Sequence, residues 1–392
     1  MKSNFKSFER KIIAPIVILA MILALVGCDA FNDLFRDAGG RDSASDSSEV
    51  TIEPVVETVY ENHYQLDRFI AEMSEDFAVS GKAVLKDVTV WDDLNDYYDS
   101  HSELLSLYGI KGIAAEILTD DEKSQAEITL QYEMYMNILA ADKNGDSSRL
   151  SEKEVETYEK AKSILAEITE GFENPENTSV FEKSYAIHAI LVDLIEYDDD
   201  YADNSNAFNV YGALAEGKAV CQGYVHAYKM LLSMAGIESV IITGTAGTAG
   251  EAENHAWNLV NYGDESDPKW YHVDVTWNDQ EGIRSHRYFN VSDSHLHGTH
   301  LWRAALYPDV VSSNEMEYNY FSYTGWTADS PSALKSLFGE RYSKSQTGYE
   351  ILCEFNVEET DLTFLDAYAS LDEIGYLISD YGVYKLLMLV LQ

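Results

Sequence analysis

The sequence predicts an α+β protein, and three observations predict it. Apolar residues recur at three- and four-residue spacing through much of residues 60–171. After Pro175 the pattern changes to helices followed by strand-like runs, and the last stretch, residues 346–392, reads as strand, helix, strand. With 392 residues, 46% hydrophobic and 12% aromatic, the chain can bury more than one core. Its 27 basic and 68 acidic residues give a net charge of −41, a field that repels nucleic acid and excludes a polyanion-binding role.

Residues 1–27 read as a signal peptide. Lys2, Lys6, Arg10 and Lys11 precede an apolar run from Ile12 to Gly27 that is short for a membrane span. The run ends in Leu25-Val26-Gly27-Cys28, which resembles a bacterial lipobox. That resemblance implies cleavage after Gly27, lipidation of Cys28 and anchoring on the extracellular face of the bacterial cell membrane. Residues 28–58, rich in Asp, Ser and Gly, read as a flexible tether.

Residues 59–172 are expected to form a helical N-terminal region, on the spacing in "LNDYYDSHSELLSLYG" and "AEITLQYEMYMNILAAD". Within it, "DKNGDSSRLSEKE" places Asp142, Asn144 and Asp146 at the 1-3-5 spacing of a calcium loop, with Glu154 as a late carboxylate. The loop is one residue too long, and Ser147 stands where the sharp turn wants Gly. A turn into a helix capped by Ser151 and Glu154 is the stronger reading.

The domain expected over 173–345 opens with a helix from about Phe181 to Glu196, followed by an acidic loop and "GKAVCQGYVHAYKMLLSMAG". In that helix Gln222, His226, Lys229 and Ser233 mark a polar stripe expected to face solvent, while Cys221 and Tyr224 face inward; Gly236 is the stop. Ala219 and Val220 are poor caps, which leaves first-turn N–H groups for another task. A thiol there gains thiolate character from the helix dipole, below its free pKa of about 8.5, and the same N–H groups suit an oxyanion.

Strands are expected at 238–244, 254–261 and 270–277. A nucleophilic cysteine needs a base, and the base an orienter. "ENHAWNLVNY" supplies His255; "KWYHVDVTWND" supplies Asp274, on a strand face shared with His272 and Thr276. The turn "GDESDP" between the two strands could bring His255 beside Asp274. Singly, a strand histidine or aspartate is more often structural; the ordered Cys, His, Asp set points to thiol acyl transfer.

These stretches, "YGALAEGKAVCQGYVHAYKMLLSMAGI", "HAWNLV" and "WYHVDVTWND", resemble the core of the transglutaminase-like superfamily in its bacterial secreted branch. The preceding "LIEYDDDY" and the trailing "YFNVSDSHLHGTHLW" share the likeness, which covers residues 180–302. It implies a papain-like α+β core with Cys221 as nucleophile, His255 as base and Asp274 as orienter, without a cofactor. Tyr211 is the nearest upstream candidate for a residue that helps at the oxyanion. The implied function is a cell-surface peptidase, amidase or protein-glutamine transferase working through a thioester on a peptide or protein substrate, cell-wall peptide included. The alternative is a catalytically silent binding module of the same fold.

Two further readings are weaker. "HLHGTH", with His295, His297 and His300 and with His286 nearby, offers histidines for a metal, but no cysteine or HExxH helix accompanies them and no metal is expected. Cys353 lies in the apolar strand-like run "YEILCEFNV", where a buried inert thiol is expected in place of a disulfide to Cys221. Residues 346–392 are expected to form a small α/β C-terminal unit.

Overall fold

The computed structural model describes residues 59–60, 63–85, 105–120, 123–247, 252–280, 283–307, 310–346, 348–368 and 374–391. The expected signal peptide, Cys28 and the whole of the tether lie outside the described residues, as does the start of "LNDYYDSHSELLSLYG".

The N-terminal region, expected to be helical, is instead mixed strand and helix. In chain order it holds β1 (Val59–Tyr60), α1 (His63–Glu75), β2 (Ser80–Leu85), β3 (Ile110–Asp120), β4 (Lys123–Tyr132), α2 (Met134–Asn144) and α3 (Glu152–Gly171). The strands form one sheet in the order β1-β2-β4-β3. The spacing in "AEITLQYEMYMNILAAD" straddles a strand and a helix. Ile128, Leu130 and Tyr132 are buried while Thr129 and Gln131 are exposed, the period of two of a half-buried strand. Only after Glu133, in extended conformation, does the helix begin.

The 142–154 turn resolves as a helix start. Ser151 and Glu154 form a reciprocal capping box, and Asn137 donates to Glu154 Oε1 at 2.8 Å. Asp142 accepts from the Tyr158 hydroxyl at 2.8 Å and Asp146 from the Ser148 N–H at 2.9 Å. The acidic groups of this turn are thus taken up by local hydrogen bonds.

Next come α4 (Val180–Leu194), α5 (Cys221–Met234) and an antiparallel sheet: β5 (Ser239–Ala246), β6 (Glu253–Asn261), β7 (Trp270–Val273), β8 (Phe289–Val291) and β9 (His300–Trp302). Its strand order is β8-β7-β6-β5-β9. Helix α5 ends as the sequence indicates, with Gly236 at φ 73° and the Ile237 N–H returning to Leu232 O at 2.8 Å.

The solvent stripe expected on α5 is corrected. Its outer side is covered by α2, and the Tyr135 ring lies 4.8 Å from that of His226, which is buried. Lys229 reaches the carbonyl of Ser239, and burial pulls its amine down to about 8. Burial likewise pushes His226 down to about 3. Thus α5 is buried nearly all round, sandwiched between the sheet and the N-terminal region.

The expected strand 270–277 is also shorter. It stops at Val273, because the Asp274 carboxylate accepts the Trp277 N–H at 3.0 Å and caps a one-turn helix, α6 (Val275–Asn278).

At the C-terminus the expected unit begins earlier than residue 346. β10 (Thr327–Ala328) pairs in parallel with β11 (Gly348–Cys353), and α7 (Pro331–Arg341) packs on that sheet. The order is β10-β11-β13-β12, with β12 (Ile374–Tyr381) and β13 (Tyr384–Leu391) completing it. Short 3-10 turns at Val357–Glu359 and Thr363–Ala367 stand where a helix was expected. On β11, Tyr349, Ile351 and Cys353 face α7, whereas Leu352 joins the main core. Neither Cys353 nor Cys221 is in a disulfide, and burial pushes the Cys353 thiol up to about 12.

Candidate active site

Cys221 opens α5. Its approach is held by backbone bonds: Asp198 N–H to Ala219 O at 3.0 Å and Val220 N–H to Ala207 O at 3.0 Å. Gly223 is required by this closeness, since a Cβ there would lie 2.6 Å from Ala207 O and 2.7 Å from the Ala219 Cβ. Val220, the N-cap, makes no side-chain capping bond, so the positive end of α5 meets the thiol without a competing cap.

His255 lies on β6, opposite Gly244 of β5. β6 pairs with β7, Asn258 opposite Val273, and one residue beyond Val273 the chain turns with Asp274 at the corner. The two side chains meet there: His255 Nε2 is 2.8 Å from Asp274 Oδ2. His255 also shares a hydrogen bond with the Cys221 thiol, necessarily through the remaining nitrogen, Nδ1. Asp274 is 1% exposed, His255 9% and Cys221 4%.

Electrostatics follow from this geometry. Burial alone would push His255 down, but the Asp274 carboxylate and the bond to Cys221 outweigh it and lift the imidazole to about 10. Burial would push Asp274 up, yet His255 and His300 hold it well below the ordinary carboxylate range. The site therefore favours the charged imidazolium, set between the Asp274 carboxylate and the Cys221 sulfur. Trp277 (centroids 5.7 Å) and Trp257 (6.0 Å) flank the imidazole and exclude water from it.

Of the expected residues, Cys221, His255 and Asp274 converge; Tyr211 does not join them. Its ring lies under Lys153 Nζ at 4.7 Å and its hydroxyl bonds Glu156, both on α3. Nor does the loop of histidines converge on a metal. His286 Nδ1 pairs with Glu350 at 2.8 Å, His295 Nδ1 with Ser292 at 2.7 Å, and His297 stacks on Trp302 at 4.5 Å.

His300 was missed as a site residue. Its Nε2 lies 3.0 Å from Asp274 Oδ2, opposite His255. Among the described residues, His255, Asp274 and His300 are the group whose ligand atoms approach closely enough for a metal, within 4.8 Å of one another. The 2.8 and 3.0 Å separations are hydrogen bonds, and the trio is accounted for as a carboxylate held between two imidazoles. The overlooked signal was "HLW", three residues that alternate inward and outward as a short strand: His300 is buried and Leu301 is 61% exposed.

Residues 153–275 match the family model described as the transglutaminase-like superfamily, a span that holds Cys221, His255 and Asp274 and begins inside α3. Solved structures with likeness include a TGase (14% identity, 56% of this chain and 59% of that one, TM-score 0.25). A second is a candidate cysteine protease from Cytophaga hutchinsonii (16% identity, 50% and 68%, TM-score 0.26). A third is a candidate protease from Parabacteroides distasonis (7% identity, 80% and 66%, TM-score 0.22). The alignment with the TGase spans 59% of that protein's length. No curated protein matches the chain.

Proposed function

From the premise that residues 153–275 are a transglutaminase-like superfamily domain, we propose that the protein is a thiol acyl-transfer enzyme acting on amide bonds of peptides or proteins. The observation that carries the reading is His255, bonded on one side to Cys221 and on the other to a buried Asp274. Cys221 attacks the carbonyl as a thiolate, assisted by the α5 N-terminus. First-turn backbone N–H groups of α5 stabilise the tetrahedral oxyanion. His255 Nδ1 then protonates the leaving amine while Nε2–H stays on Asp274, which keeps the ring in register and stabilises its cation. Water or an acceptor amine releases the thioester.

Location is part of the proposal. The lipobox-like Leu25–Cys28 segment supports a lipid anchor on Cys28, an extracellular site of action and wall peptides or surface proteins as substrates. Among the described residues no helix is long and apolar enough to cross a membrane. Labelling with a palmitate analogue is expected to tag the wild type and not Cys28→Ala; equal labelling of both contradicts the anchor.

One observation favours a second reading. Cys221 retains only 4% exposure, as suits a silent binding module of the same fold. Wild type and Cys221→Ala incubated with glutamine-containing peptides, with and without a primary amine, separate the two. Amine incorporation identifies a transferase, and deamidation or cleavage a hydrolase. Equal inactivity of both proteins across a broad peptide set contradicts the enzyme reading.

A further inference from the structure

We propose that His300 is a positioning residue of this site, a neutral second imidazole that clamps Asp274 so that the carboxylate stays aimed at His255. The inference rests on the acyl-transfer reading above and names a group that reading does not use.

Three elements converge on the Asp274 carboxylate. His255 from β6 and His300 from β9 both reach Oδ2, at 2.8 and 3.0 Å, and the Trp277 N–H of α6 donates to Oδ1 at 3.0 Å. His300 itself is held from behind. Its Nδ1 lies 2.8 Å from the Thr299 hydroxyl, and because the ionised Asp274 carboxylate can only accept, the ring proton sits on Nε2 and is directed at Asp274. The ring is fully buried, with Trp277 and Trp257 at 4.6 and 4.9 Å and Tyr288 at 5.5 Å.

Strand β9 is built to deliver it. β9 pairs with the edge of β5, His300 opposite Ala246 and Trp302 opposite Gly244. A Cβ on Gly244 would sit 2.1 Å from Leu301 O, so only glycine lets the strand close this far. The titratable groups facing His300 are Asp274, His255, His272 and Tyr288; burial, countered by Asp274, brings it down to about 4, so it donates as a neutral ring. Two donors on Oδ2 and one on Oδ1 hold the carboxylate from three elements in the orientation that meets His255. That constraint matters when the His255 proton moves to a leaving group.

The test is the pH profile of iodoacetamide alkylation of Cys221 in the full-length protein, read by mass spectrometry, with buried Cys353 as an internal reporter of folding. His300→Leu is expected to slow Cys221 alkylation at pH 6 by about ten- to a hundredfold, the loss typical of one hydrogen bond to a charged group. Its acid limb should move to higher pH, because a loosened Asp274 supports the thiolate–imidazolium pair less well. His300→Gln, which keeps an N–H donor of similar reach, should bring the limb back toward wild type. A folded His300→Leu with unchanged limb and rate, beside an Asp274→Asn that shifts both, overturns the role of His300 and leaves the acyl-transfer reading standing. A wild-type Cys221 no more reactive than Cys353, and insensitive to Asp274→Asn, overturns that reading too. If His300→Leu exposes Cys353, His300→Gln and His300→Asn decide the matter. The longer side chain should react faster, and equal rates overturn the proposal.

Discussion

Two histidine–carboxylate pairs sit one strand apart in the same sheet, and they do opposite things. His255 meets Asp274 at 2.8 Å, and His272 meets Asp293 at 2.7 Å. Both rings are buried, yet His255 is lifted to about 10, while burial, only partly countered by Asp293, lowers His272. One difference is the carboxylate: the Asp274 side chain is 1% exposed, that of Asp293 39%, so water weakens the second field. The other is the far nitrogen. His272 Nδ1 accepts the Trp257 indole N–H at 2.9 Å; indole only donates, so that nitrogen stays unprotonated and the ring neutral. His255 Nδ1 faces a thiol, which can give its proton away. A dyad is reactive or structural according to its third partner.

The largest expected effect separates the carboxylates. Asp274→Asn should cut turnover by about four orders of magnitude, because a carboxamide can donate to His255 and favour the wrong tautomer. Steady-state kinetics on any substrate found should show Asp293→Asn within a few-fold of wild type. Equal losses in both variants would erase the distinction.

Next, His272→Phe should destabilise the fold by about 3 kcal/mol, since it strands the buried Trp257 N–H and removes the partner of Asp293. The denaturation midpoint should fall while the rate per folded molecule holds. A variant that keeps its midpoint but loses activity would make His272 part of the chemistry.

A third difference concerns pH. His255 is raised from an unfolded value of about 6.5 to about 10, so its contribution is fully present below pH ~6.5 and lost as pH rises through 10. The loss should be on the order of 3 kcal/mol between pH 7 and 10, and Asp274→Asn should flatten this limb while Asp293→Asn preserves it. Buried His226, lowered to about 3, works in the opposite direction: its contribution is lost as pH falls below ~6.5. Denaturation followed across pH 5–10 reads both limbs. Smallest of all, Asp293→Asn at neutral pH should cost less than ~1 kcal/mol, the half-exposed carboxylate being already solvated.

How far the sequence carried depends on how local each signal was. The α5 start and its Gly236 stop are written within the helix itself, as is the strand carrying His255. Asp274 was legible as a residue but not as a corner, because its side chain captures the Trp277 N–H and ends the strand early. The stripe of His226 and Lys229 looked solvated because α2, which covers it, comes from almost a hundred residues upstream. His300 was hidden among histidines that the fold sends to different partners. The β3–β4 hairpin was masked because strand and helix periods run together at Glu133.

The central claim is a covalent one: Cys221 carries the acyl group. Wild-type protein mixed with a glutamine-containing peptide, quenched in acid and digested, should yield an acyl adduct on the peptide bearing Cys221. The adduct should be cleared by hydroxylamine and be absent from Cys221→Ala. Turnover without any adduct on Cys221, or an adduct found equally on Cys353, would contradict the account.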